Sequence, residues 1–469
     1  MVGRAASRRN GHAQDVQEAA PAHDERDRAQ HAREIEVISA ILDANPQLTD
    51  LAQRDLLGGK RADVGREGMS GEQALRVALL KQIEGVTYRE LAFRLIDSSL
   101  FRRFARLPFG KPIKVARLQT NVTKLTPATW EAVNKALLVR AEAEGVERGR
   151  KVRTDCTVVE TNIHEPSDSS LLWDCVRVAT RLVVRASELV PSLDWSFIRD
   201  RRLRAKRRAF EIQFPPRSKG SPDKARARAY QDLLLVAKET HAMGVIAEAK
   251  LAAAPAREPL EMIKIEVLRA ELRELLEAMT TVQEQTRRRV LEGEKVPASE
   301  KLLSIFEKHT DIIVKDRRET LFGHKICLTG GASSMILDVV IEDGNPADST
   351  LVKRSIERQI VLYGRPPRQA SFDGGFASKE NLREAKALGV EDVAFHKKCG
   401  LAISEMVKSA WVFKKLRNFR AGIEGCISAL KRAFGLERCM WRGLEGFKSY
   451  VWSSVVSFNA IVLARHLTA

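Results

Sequence analysis

The chain has 469 residues, 44% of them hydrophobic, and carries 79 lysines and arginines against 61 aspartates and glutamates, for a formal net charge of +18. Its length and apolar content exclude a disordered chain and exceed what one hydrophobic core usually organises, so two or three domains are expected. The charge asks for a polyanionic partner, nucleic acid before any other, and a membrane span is excluded because no stretch approaches the ~20 apolar residues it needs.

Residues 1–30 mix Arg, Asp, Gln and Ala without the apolar run of a secretory signal, so they are expected to form a flexible leader on a cytoplasmic protein. The six cysteines lie far apart and show no zinc-type pairing. His396 with Cys399 comes nearest to a metal pair, but it lacks a second pair.

Helical apolar spacing begins at Glu34 and runs to Leu42, and Pro46 ends it. Ser70 is placed to cap a helix through Leu75, Leu79 and Leu80, and Thr87 to open another through Leu91 and Ile96, with a turn at Gly85. Arg89, Arg94, Arg102, Arg103 and Arg106 then alternate with apolar residues, and a further helix starts near Val115. Short helices with outward arginines suit a helix-turn-helix reader of DNA, expected over residues 31–145. The competing reading is a packing domain with solvated arginines.

From Lys151 β-branched residues alternate with polar ones, which predicts a strand through Val159. Helix resumes from Ser169 to about Leu189. A basic run, Arg199 to Arg208, precedes Pro215, Pro216 and Gly220, and two long polar helices follow at about 224–253 and 260–292. This block, about 165–320, reads as a helical insertion. Its basic run, with Arg204 and Arg207, is either a solvated face or a clamp on DNA ends, and the clamp is the expectation. Strands return at 325–328 and 335–341, joined by Gly330 and Gly331. A helix over 351–362, a strand Gln369 to Asp373, a helix 378–388, a strand 392–395 and helix from Arg417 onward complete an α/β pattern.

Three acids stand out in that order. Asp155 lies mid-strand, where an ionised carboxylate needs a partner. Asp373 ends a strand before Gly374 and Gly375, which let a backbone approach a ligand. Glu424 lies on a helix between Gly422 and Gly425. Arg420 and Lys431 share its helical face. Alone, an Arg/Glu pair at i,i+4 is an ordinary surface contact of about 0.2–0.5 kcal/mol. Asp168 is expected to cap a helix, Asp348 to complement a helix dipole, and His164 and His324 to make structural hydrogen bonds. Glu160 and Glu165 are nearby acids with no expected partner helix.

Taken together these residues resemble the DDE transposases of bacterial insertion sequences. Arg420-x3-Glu424-x6-Lys431 is similar to the last two thirds of the family's Tyr-x2-Arg-x3-Glu-x6-Lys signature, with Arg417 standing where the family has tyrosine. The stretches Arg153–His164, Asp168–Asp174, Phe322–Lys325, Gly344–Ser349, Phe372–Phe376 and Thr87–Arg94 resemble an ISNCY-like subgroup. The resemblance implies an RNase H-like catalytic domain over 150–469, a mixed sheet flanked by helices and interrupted by the insertion. It implies Asp155, Asp373 and Glu424 as catalytic ligands of two Mg2+ ions, with Mn2+ as a substitute. It further implies DNA contacts from Arg420, Lys431, Lys397, Lys398, Arg89, Arg94, Arg204 and Arg207. The partners would be double-stranded DNA, as terminal inverted repeats and target, and a homodimer or larger synaptic complex at the nucleoid. Two other outcomes share these residues: a silent transposase-derived DNA-binding protein, and a metal-dependent nuclease without strand transfer.

Overall fold

A computed structural model describes residues 22–61, 68–108, 111–214, 222–255, 258–315, 319–396 and 400–469. Among the described residues seven helices come first: α1 (Ala22–Asp43), α2 (Pro46–Leu57), α3 (Gly71–Ile83), α4 (Tyr88–Asp97), α5 (Ser99–Phe104), α6 (Val115–Val122) and α7 (Pro127–Ala143). Their starts follow local chemistry. Ser70 accepts from the Gln73 amide in a capping box, Thr87 accepts from the Glu90 amide, and Gly85 turns the chain at φ +62°. Pro46 is the first residue of α2, where its missing N–H costs nothing. The expected leader is already helical from Ala22, and its residues 1–21 lie outside the described ones.

The sheet starts with β1 (Lys151–Glu160). The helical block α8 (Asp168–Leu189), α9 (Arg202–Gln213), α10 (Pro222–Ala252) and α11 (Pro259–Thr286) separates it from β2 (Asp311–Lys315), β3 (Glu319–Gly330) and β4 (Ile336–Ile341). Then come α12 (Val352–Tyr363), β5 (Gln369–Phe372), α13 (Lys379–Ala387), β6 (Asp392–Phe395), α14 (Ile403–Met406), α15 (Ala410–Ala433) and α16 (Gly443–Thr468). Strand β1 is central, antiparallel to β3 and parallel to β5, and β6 continues the parallel side. The outer edge of β3 is shared, by β2 along its first half and by β4 along its second. This is the expected mixed, RNase H-like sheet flanked by helices, with the helical block after its first strand.

Two hydrophobic cores form among the described residues. One joins the sheet to α15, α16 and the N-terminal helices, and the other lies within α8–α11. Helix α16 is buried along its middle, from Phe447 to Ala464. Its Asn459 bridges the first core: the side chain accepts from the Ile336 amide at 2.8 Å and donates to the Ile336 carbonyl at 2.6 Å and to Asn134 of α7 at 2.7 Å. A buried amide with all these partners is stabilising, whereas an unpaired one would cost about 1–3 kcal/mol. Three elements differ from expectation. Strand β2 lies in the stretch expected to be helical insertion, β3 begins at Glu319 ahead of the expected Lys325, and α15 begins at Ala410, capped by Ser409, ahead of the expected Arg417.

Candidate active site

Register brings the first two acids together. Thr154 of β1 pairs with Phe372, the last residue of parallel β5, so Asp155, next along β1, and Asp373, which directly follows β5, stand side by side. Alternation along β1 sends Arg153 and Asp155 to the same face of the sheet. Helix α15 covers that face. Arg153 Nη1 donates to the Phe419 carbonyl at 2.9 Å, and the Ser371 hydroxyl donates to the Leu416 carbonyl at 3.0 Å. Glu424 is thereby carried over the two aspartates.

All three carboxylates converge on one guanidinium. Arg420 Nη2 lies 3.0 Å from Asp155 Oδ2 and 3.4 Å from Asp373 Oδ1, and Nη1 lies 2.6 Å from Glu424 Oε1. Asp155 and Arg420 are largely enclosed, at 15% and 10% exposure, whereas Asp373 and Glu424 open to solvent at 39% and 59%. Burial pushes the Asp155 carboxyl above its usual value; Arg420 and the Cys156 amide, which donates to Oδ1, offset this only in part. Among the described residues, Arg420 is the positive group that faces these three acids, whose donors are all oxygen, the set that Mg2+ and Mn2+ prefer. Among the described residues, no three His, Cys, Asp or Glu side chains stand close enough to hold a metal directly in this conformation. The acids reach each other through the guanidinium. The donor set therefore fits divalent ions in kind, with Arg420 at their meeting point.

The other expected contacts scatter. Lys431 is half-buried on α15, two turns beyond Glu424, about 10 Å along the axis. Arg89 is exposed on α4. Arg94 is tied to Glu84 at 2.7 Å and Glu90 at 3.0 Å, and Arg204 is paired with Asp232. Arg207 is exposed and lines a cleft with Lys206, Trp173 and Phe210 between the start of α8 and α9. Lys397, Lys398 and Cys399 lie outside the described residues.

Several local readings change. Ser167, not Asp168, caps α8; Asp168 is buried and pairs with Arg289 at 2.9 Å across the helical block. Asp348 opens a short 3-10 turn, but its carboxylate is engaged by Lys325 Nζ at 2.5 Å. Glu160 pairs with Arg438 at 2.6 Å. His164 contacts Asp174 at 2.8 Å, and His324 contacts His309 at 2.7 Å and Asp311 at 3.0 Å, the structural bonds expected of them. The stacked His309–His324 pair forms where β2 pairs with β3, and the His/Glu/Asp density of Glu307–Asp311 is its local hint in the sequence.

A mixed sheet with acids on adjacent central strands, and a third on the helix above, defines the RNase H-like class of nucleic-acid enzymes. Two family models match the chain: "Transposase DDE domain" over residues 314–460 and "Transposase domain (DUF772)" over residues 23–118. The chain belongs to the DDE transposases of insertion sequences. The first match includes Asp373, Arg420, Glu424 and Lys431, while β1 and Asp155 precede it. No curated protein and no solved structure matches the chain. Among the described residues, no helix is long and apolar enough to cross a membrane.

Proposed function

We propose that this transposase cuts DNA at transposon ends and joins the freed 3′-OH to target DNA, with Asp155, Asp373 and Glu424 as ligands of two Mg2+ ions. The observation that carries the reading is the convergence of these three acids, from two adjacent strands and one helix, on a single cationic centre. Bound divalent ions would supply an activated water and charge stabilisation at the leaving oxygen, and Mn2+ would serve in place of Mg2+. The protein's own part is positioning. Asp155 is held by the Cys156 amide and by burial, Asp373 by the end of β5, and Glu424 by the packing of α15 on the sheet. Arg420 and Lys431 would bind the scissile or neighbouring phosphate, and Lys397 with Lys398 would follow the same backbone.

The exposed Arg89 and Arg207 suit contacts along the duplex. Arg94 and Arg204, each already paired with carboxylates, would reach DNA only by exchanging partners. Residues 31–145 would then read the terminal inverted repeats, residues 150–469 would form the catalytic domain, and the block at about 165–320 would clamp the end. Bringing two ends together requires a homodimer or larger synaptic complex, working at the nucleoid in the cytoplasm.

The test is an assay with labelled terminal-repeat duplexes, target plasmid and Mg2+. Joined product supports the proposal. Cut ends without joining would make the protein a nuclease, and binding without cutting a silent derivative.

A further inference from the structure

The position of Arg420 has a consequence for how the site is filled. Its side chain is 10% exposed, and its Nη atoms serve three carboxylates. Its Nε–H, however, is buried without an acceptor. Arg102, a buried arginine with a purely structural task, differs: Nε, Nη1 and Nη2 all donate to the carbonyls of Leu95, Pro108 and Lys111. Arg153 shares a buried, unpaired Nε, so what sets Arg420 apart is the three carboxylates gathered on its Nη atoms. A guanidinium cannot vacate such a seat by losing its proton, so it has to move. The mouth of the site is formed by Asp373 and Glu424, which repel an incoming phosphodiester until a cation neutralises them.

We propose that Arg420 is the resident counter-cation of the DNA-free site: its guanidinium holds the place of the divalent ions and yields it when a DNA phosphate draws it away. A phosphate offers a guanidinium the same two-pronged, charge-assisted contact as a carboxylate, so the exchange keeps the arginine paired throughout. Arg420 then makes metal entry depend on DNA. By linkage, DNA strengthens metal binding and metal strengthens DNA binding by the same factor. The inference rests on the metal reading above and deepens it.

The DNA-free full chain is titrated with Mn2+, and the free ion is followed by electron paramagnetic resonance. Arg420→Gln, which removes the charge, is expected to tighten Mn2+ binding by about tenfold or more, whereas Arg420→Lys stays within about threefold of wild type. Equal affinity in wild type and Arg420→Gln overturns the proposal. A measurement on the unaltered protein guards against a variant that misfolds. Saturating Mn2+ without DNA must raise phenylglyoxal labelling of Arg420, read by peptide mass spectrometry, and unchanged labelling also overturns the proposal. The metal reading fails separately: Asp155→Asn placed in Arg420→Gln would then leave Mn2+ binding unaltered. If Asp155 governs binding and Arg420 does not, only the present inference falls.

Discussion

Gly422 of α15 leaves the space that the Arg153 guanidinium of β1 occupies; a Cβ at this position would overlap Nη1. The two residues set how closely α15 approaches the sheet, and so how far Glu424 and Arg420 stand from Asp155. Gly422→Ala is expected to destabilise the protein by about 1–3 kcal/mol through overpacking and to lower cleavage further than stability alone explains. Urea unfolding and end cleavage, measured on the same preparation, check both. Wild-type values in each would show that Arg153 simply swings aside.

Asp155→Asn, Asp373→Asn and Glu424→Gln should each lower cleavage by about 10^2- to 10^4-fold, the effect of several kcal/mol lost from transition-state stabilisation. End binding in a gel-shift assay should persist. Chelation of divalent ions should reproduce the same loss in wild type. A variant that cuts at the normal rate removes its residue from the site.

Arg204 and Arg207 lie on one helix yet predict different behaviour. Arg204 is committed to Asp232, and Arg207 faces the cleft. Arg207→Ala should reduce the slope of log K against log salt for DNA binding by about one, and Arg204→Ala by less. Equal slopes in both variants would dismiss the cleft as a phosphate contact.

His31 of α1 contacts Glu84 at the end of α3, Nε2 to Oε1 at 2.9 Å, and faces Glu34 at 3.8 Å. The hydrogen bond to Glu84, with the charges of Glu84 and Glu34, holds the imidazole above its ordinary value although burial acts against it. A raised folded-state pKa means that this stabilisation is fully present below about pH 6.5 and is lost as pH rises through the folded value. The Tm difference between wild type and His31→Gln should therefore be largest below pH 6 and shrink on the alkaline side. A difference that grows with pH would contradict the assignment.

Glu147 is 2% exposed and ties the entry of β1 to the β3–β4 turn. It accepts from the amides of Arg148, Gly149 and Ser333 at 2.9 Å each and from the Ser333 hydroxyl at 2.7 Å. Glu147→Ala strands these donors and is expected to cost about 1–3 kcal/mol in urea unfolding, with Glu147→Gln costing less. A change below about 0.5 kcal/mol in the alanine variant would mean that the turn finds other acceptors.

The sequence by itself determined the local elements and the order of the chemistry. Ser70 and Thr87 announce α3 and α4, β-branched alternation announces β1, and Gly374 with Gly375 marks the close of β5, which ends at Phe372, one residue before Asp373. These signals work because capping, strand propensity and turn geometry act over a few residues. The spacing of Arg420, Glu424 and Lys431 was equally readable, since a helix repeats every 3.6 residues.

Only the tertiary structure decided what each charge touches. Arg420 meets Asp155 because α15 lies on the face of β1 that carries odd-numbered residues, which no local pattern encodes. Asp168 pairs with Arg289 instead of capping a helix, and Arg94 and Arg204 pair with carboxylates. Strand β2 is short and follows a long helical block, so its identity rests on pairing with β3. Side-chain partners are chosen when distant segments are packed together, and the same charge is a phosphate ligand or half of an ion pair depending on what packing brings within reach.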